Sequence, residues 1–378
     1  MKVIANISRL ILGVLFVVSG FVKGIDPWGS AYLFHDYFEA FGWEGMYKYA
    51  FAIGVLLSAV EFTAGLALLC KFKMRFTAWL TLLFMLFFTP FTLYLWIADP
   101  IQDCGCFGDA IKLSNIETFL KNLLFLPMSI AVFAHRKKFK SCGNGLIGTI
   151  CFSLFMLTYV GAVWYSYEHL PIMDFRPYKI GNNIAEQMII PADAPEPVYN
   201  NTYTYRNKKT GEEEKFTEAD IPWQDTLTWE YISTETNEIE KGFTPAITDF
   251  AILGLDGSDV TNDFLDEDGY LFLFTSERLS NIHADSALIA KINKIGAGAY
   301  ANYYSFIGLT SSPANDCYQY IDDKQLTFEF YNTDEKVLKT MIRSNPGLML
   351  LKDGTIIRKW HYNDIPSLTE LENIFLNK

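Results

Sequence analysis

Five apolar runs, each close to twenty residues long, fill the first 170 positions and restrict this chain to one class of fold. They cover 3–22, 49–70, 76–98, 116–134 and 146–167. A bilayer core of ~30 Å needs about twenty apolar residues in a helix, so each run is long enough to span. The first follows Met1-Lys2 and has the outline of a signal peptide. It is nevertheless long enough to span, and more spans come after it, which argues for an uncleaved first helix. The expected architecture is a multi-pass α-helical membrane bundle with the lipid bilayer as its partner. The acidic residues crowd the remainder, and the formal net charge is −12. That balance argues against nucleic acid, whose phosphates call for clustered Lys and Arg.

Basic residues in the short loops set the orientation. Lys71, Lys73 and Arg75 separate the second and third runs; His135, Arg136, Lys137, Lys138 and Lys140 separate the fourth and fifth. Both loops therefore belong in the cytoplasm. The N-terminus is then cytoplasmic, and everything after Tyr167 lies outside. In a bacterial inner membrane that side is the oxidising periplasm.

The loop between the third and fourth runs reads Asp103-Cys104-Gly105-Cys106-Phe107-Gly108-Asp109 and falls on that side. Two cysteines around a glycine can cycle between dithiol and disulfide, or offer thiolates to a soft metal. With Asp103 or Asp109 they still supply only two soft ligands, short of a structural zinc site. No metal is expected. A Cys-X-Cys disulfide closes a small, strained ring, and strained disulfides are oxidising. Cys317 is also outside; Cys70 and Cys151 sit near the inner face and Cys142 in the cytoplasmic loop, where all three read as small apolar filler or inert thiols. The second run carries Glu61, about nine residues from its inner end, or roughly 13 Å deep. An intramembrane carboxylate serves as a proton carrier or quinone-site group, or pairs structurally with Arg9, Ser19 or Ser58.

The outer half divides again. Prolines 171, 177, 191, 195 and 197 break the segment 171–244, which holds a hairpin over 198–216. Trp223 and Trp229 are expected to pack this segment onto the domain C-terminal to it. From 245 onward strands and helices alternate. Strands are expected at 251–255, 270–274, 303–309 and 326–331, helices at 285–295, 313–321 and 335–343, then a hairpin over 348–362. A terminal helix begins at Ser367, with Glu370 completing a capping box. That order defines an α/β domain with a mixed sheet.

The first run, with Arg9, Gly13, Phe16, Ser19, Gly20, Lys23 and then Asp26-Pro27, resembles the DoxX superfamily of four-helix membrane proteins, as does Glu61 followed by Gly65. The Cys-Gly-Cys-Phe-Gly loop resembles its MauE branch. The resemblance covers residues 1–140 and implies help with disulfide formation or with maturation of methylamine dehydrogenase. The chain departs from it by adding a fifth helix at 141–170 and a large outer domain. Residues 245–378 resemble the thioredoxin-like fold in its membrane-tethered, TlpA-like form. Asn345-Pro346 stands where that family has a cis-proline. Its Cys-X-X-Cys would come after the strand at 270–274, but Thr275 to His283 contain no cysteine. Thiol exchange needs a thiolate nucleophile, so this domain is expected to lack thioredoxin chemistry. Cys317 lies on a different helix and reads as a buried apolar side chain. His283 and His361 show no ligand spacing.

Two functions are open to such a chain. In one, Cys104 and Cys106 form a redox pair that serves a periplasmic client, with a quinone as electron sink, in a protein of thiol-disulfide oxidoreductase type. In the other, the pair is a permanent staple and the chain is a non-catalytic membrane scaffold whose thioredoxin-like domain binds a periplasmic protein.

Overall fold

The computed structural model describes residues 2–101, 103–139, 146–240 and 242–371. Lys140, Cys142 and the end of the terminal helix lie outside the described residues. The chain forms two compact units, one of residues 1–182 with 251–378, the other of 183–250.

In the N-terminal part of the first unit the helices are α1 (Lys2–Ile25), α2 (Pro27–Ala40), α3 (Ala50–Leu69), α4 (Met74–Ala98), α5 (Asn115–Ala134) and α6 (Leu146–Glu168). Among the described residues, five helical segments are long and apolar enough to cross a membrane, the second including the turn from Glu44. They coincide with the five apolar runs to within a few residues. Short side chains set how closely α1 and α3 approach. A Cβ on Gly20 would meet the Phe62 nitrogen at 2.4 Å, and one on Gly65 would meet the Val17 nitrogen at 2.5 Å. Small residues let helix backbones touch where apolar lipid gives no drive to associate. α6 lies outermost: Leu154, Leu157 and Trp164 are exposed, while Tyr159 stacks on Phe62 at 4.2 Å.

Helix α2 was not expected. It is too short to span and carries Asp36 and Glu39 among its aromatics. Its start is nonetheless encoded locally. Pro27 occupies the first turn and the Asp26 carboxylate accepts from the Gly29 N–H at 2.8 Å.

The rest of the first unit is an α/β layer. Its strands, counted after three in the other unit, are β4 (Tyr270–Ser276), β5 (Ser305–Thr310), β6 (Phe330–Asn332), β7 (Gly347–Lys352) and β8 (Thr355–His361). The sheet order is β6-β5-β4-β7-β8, with β4, β5 and β6 parallel and β7 and β8 antiparallel. The Asn345–Pro346 peptide is cis. Phe272, Phe274, Phe306 and Leu350 pack on one face and Leu271, Leu273 and Leu309 on the other, so the central strands are buried on both sides. Residues 251–255 are not a strand. Only Leu253 bridges, to Asp259 and to Asn332, because the Asp256-Gly257 turn ends the extension at once. Ser367 and Glu370 form the expected capping box.

In the second unit, β1 (Val198–Asn207), β2 (Glu213–Thr217) and β3 (Trp229–Glu240) form an antiparallel sheet in the order β2-β1-β3. The expected hairpin is β1–β2; β3 is an addition. Trp229 packs inside this sheet, edge-on to Phe216 at 5.1 Å, and Trp223 is exposed.

Candidate functional site

The loop 103–109 does not stand above the bundle but dips into it. The Ser19 hydroxyl donates to the Cys106 carbonyl at 2.6 Å. Ser19 lies six residues before the end of α1, which places that contact about 9 Å below the helix end. Irregular backbone is tolerated at such depth only when protein surrounds it and satisfies it. Here the Tyr37 hydroxyl donates to the Cys104 carbonyl at 3.1 Å, and the Gly105 N–H donates to the Asp103 carboxylate at 2.8 Å. Gly105 has φ +64, and a Cβ there would lie 2.1 Å from Leu33 Cδ2. Glycine is therefore favoured by the backbone conformation, and any larger residue would also have to displace the Leu33 side chain.

Cys104 is buried and Cys106 half-buried, both are free thiols, and their sulfurs are 3.3 Å apart. The S–H of Cys104 donating to Cys106, with Lys121 and Lys23 nearby, holds Cys106 below the usual thiol range against the opposing effect of burial. The same bond, with burial, pushes Cys104 up. One sulfur is thus poised as thiolate and the other as thiol, a division suited to exchange chemistry. Asp103 is raised by burial and turned to its own loop, while Asp109 binds Arg343. Neither joins the sulfurs as a ligand.

Glu61 sits beside the loop. Lys23 Nζ is 2.5 Å from Glu61 Oε2, and the Ser19 hydroxyl is 2.7 Å from the same oxygen. The lysine and glutamate side chains are each 7% exposed. Of the partners weighed for Glu61, Ser19 is present and Arg9 is not. Arg9 donates instead to the carbonyls of Leu68 and Leu69 at the other end of α3. Ser58 bonds back to Val55 and receives the Tyr159 hydroxyl. Lys23 was missed as a partner, although it stands four residues after Ser19, on the same face of α1.

Two cavities flank the loop. One, of about 270 Å³, lies inside the bundle and is walled by Phe34, Phe38, Phe84, Phe88 and Phe91, with Cys104, Cys106, Glu61 and Lys121 on its surface. The other, of about 520 Å³, is polar and lies between the bundle and the α/β layer. It is bordered by Asp103, Gly105, Gly108 and Asp109 of the loop, with Asp26, Asp36, Lys336 and Arg343. Neither cysteine is among its described lining residues. The sulfurs therefore face the apolar side.

The α/β layer grips the bundle beside this loop. Arg343, 5% exposed, places Nε 3.0 Å from Asp26 and Nη2 2.9 Å from Asp109. The Tyr32 hydroxyl donates to the Glu277 carboxylate. Glu277 comes directly after β4, where the family resemblance would place cysteines. Beside it Ser276 donates to Asn345 Oδ1 at 2.8 Å, and Arg278 pairs with Glu335 at 2.8 Å. Cys317 is fully buried and its thiol is pushed up to about 11 by burial.

Five membrane-length helices with an irregular loop folded into their bundle define a multi-pass membrane protein. Residues 1–135 match the family model for methylamine utilisation protein MauE, and residues 199–241 match the model of a domain of unknown function, DUF8463. A membrane-associated accessory role fits the first of these. No curated protein and no solved structure matches the chain.

Proposed function

We propose that the chain is a membrane thiol-disulfide oxidoreductase in which Cys104 and Cys106 accept electrons from a periplasmic client and pass them to a quinone. The observation that carries this reading is the position of the two sulfurs, 3.3 Å apart on the wall of an aromatic cavity inside the bundle. Its volume of about 270 Å³ is just under the ~300–1,000 Å³ usual for ligand pockets, a size for a ring head group whose tail continues into lipid. A client disulfide bond forms as the 104/106 disulfide is reduced. The resulting dithiol then closes again, giving two electrons to the quinone, whose two carbonyl oxygens become hydroxyls.

The basic loops support a bacterial inner-membrane topology with the N-terminus in the cytoplasm and residues after 167 in the periplasm. A reporter active only outside should work when fused after 167 and fail when fused within 135–140; reversed signals would exclude the assignment. The sheet order β6-β5-β4-β7-β8 and the cis peptide before Pro346 support a thioredoxin-like outer domain. It has no thiol after β4.

A second reading, the non-catalytic scaffold, draws on the same domain, whose β4 end is engaged by Tyr32. Thiol trapping in cells separates the two. A redox pair is caught partly as thiols, more so when quinone is depleted, and Cys106→Ser abolishes function at normal protein abundance. A pair that stays fully oxidised under every electron supply, with Cys106→Ser functional, would leave only the scaffold.

A further inference from the structure

We infer that Glu61, recharged through Lys23, is the proton donor for quinone reduction in this bundle. The inference rests on the reading above and adds to it a role that thiol chemistry alone does not require.

The first argument is a count of protons. The Ser19 hydroxyl has one proton but two short acceptor contacts, 2.7 Å to Glu61 Oε2 and 2.6 Å to the Cys106 carbonyl. A carbonyl cannot donate. If Ser19 serves the carbonyl, its contact with Glu61 is a hydrogen bond only when the carboxyl carries a proton. If it serves the carboxylate, the buried carbonyl loses its donor. Glu61 Oε2 also faces the Lys23 amine at 2.5 Å, so the cluster has two satisfied arrangements that differ in whether one proton sits on Lys23 or on Glu61.

The second argument is chemical balance. A pair poised with Cys106 as thiolate and Cys104 as thiol holds one proton, whereas a quinone takes up two with its two electrons. Cys104–SH, Cys106–S⁻, the quinone and one proton from Glu61 give the disulfide and the hydroquinone. The S–H bond of Cys104 breaks, the S–S bond forms, and both quinone oxygens gain hydrogen. Charge is conserved, since one negative sulfur and one added proton vanish together.

The third argument is position. Glu61 borders the apolar cavity. Among the described residues, four border both cavities, namely Lys23, Ser30, Leu33 and Gly105. Of these only Lys23 has a titratable side chain, and its ammonium lies 2.5 Å from Glu61. Protons taken up in the polar cavity therefore have a path to the carboxyl through one side chain. On the apolar side the cavity also carries Lys121 from α5 and the two cysteines; on the polar side it carries Asp103 and Asp109 from the loop, Asp26 and, from α2, Asp36 and Glu39, with Lys336, Lys339 and Arg343 from the α/β layer.

The test uses the full chain in lipid nanodiscs, with dithiothreitol as reductant and a short-chain benzoquinone as acceptor. Glu61→Gln should slow turnover about 100-fold, the usual scale for a lost proton donor, with KM for the quinone unchanged. Its rate should also lose the fall towards alkaline pH that loss of a donor proton gives the native protein. Glu61→Asp should restore part of both. Reduction of the 104/106 disulfide by dithiothreitol alone should proceed normally in Glu61→Gln, which shows that the variant is folded. Native rate and pH profile in that variant would overturn the inference while leaving the thiol-quinone reading intact. No quinone reduction by the native chain would overturn that reading, and the donor role with it. Should Glu61→Gln not fold, the native quinone step in heavy water decides: slowing supports proton transfer in the limiting step, and an equal rate overturns it.

Discussion

Two segments meet at the junction of bundle and α/β layer, and they use their side chains in opposite ways. The loop 103–109 keeps two sulfurs and turns them inward to an apolar cavity. The segment after β4 has no sulfur and turns Glu277 outward to the bundle, where Tyr32 binds it. A thiol site must leave its nucleophile accessible, whereas a docking surface must bury and neutralise its charges. The difference teaches that the segment after β4 holds the α/β layer to the bundle, while the two neighbouring sulfurs of this junction belong to the membrane half. Arg343 shows how firm the hold is. It is 5% exposed, contacts carboxylates from two parts of the bundle and lies 5.1 Å over the Tyr32 ring. Removing one partner from a buried ionic group typically costs ~3–5 kcal/mol, because the charges left behind remain desolvated. Arg343→Met should therefore lower the thermal unfolding midpoint of the detergent-solubilised protein more than any exposed-site change and speed proteolysis near 169–175. It should not create disulfide reductase activity in the outer domain. Appearance of such activity would mean that the docked face hides a working thiol site and would break the comparison.

The membrane helices were legible because lipid imposes one rule on every residue of a span, and the rule is visible as apolar length. The strands β4, β5 and β7 were legible for a related reason, since burial on both faces leaves continuous apolar runs, and β8 was legible from the Lys352-Asp353-Gly354 turn that pairs it with β7. The segment 251–255 misled because its apolar residues run straight into a turn that leaves them only single bridges. β3 was missed because its Thr- and Glu-rich sequence, exposed along most of its length, has no buried pattern to read. At the site, Cys104, Cys106 and Glu61 were each visible as chemical oddities in their surroundings. What brings them together was not visible. Ser19, Lys23, Tyr37 and Lys121 come from three helices, and their convergence depends on the close α1–α3 approach and on a loop that folds inward. Lys121 carried a signal nonetheless, as a lone basic residue within the fourth apolar run.

Lys121 offers the finest test of the contrast between a reactive loop and an inert one. Its ammonium lies 4.7 Å over the Phe107 ring, and it is one of the cations that favour the Cys106 thiolate, after the bond from Cys104. A cation favours the charged form of a thiol, so Lys121→Met should raise Cys106 towards the ordinary thiol range. Lys23, the other cation that favours the thiolate, stays in place, so the rise is partial. Each pKa unit is tenfold in thiolate fraction while pH stays below both values. The rate at which a membrane-permeant maleimide alkylates Cys106 should therefore fall roughly tenfold at slightly acid pH in Lys121→Met. As pH rises through the lowered value the native rate should level off first, and above the ordinary thiol range the two proteins should converge. A charged, impermeant reagent should react slowly with both, since the sulfurs border the apolar cavity. Cys317, fully buried and pushed up to about 11, should stay unmodified in the folded protein. Identical pH profiles for the native and Lys121→Met proteins, each rising only through the ordinary thiol range, would make Cys104 and Cys106 unactivated thiols. The membrane loop would then be as inert as the segment after β4, and the scaffold reading would be the one left standing.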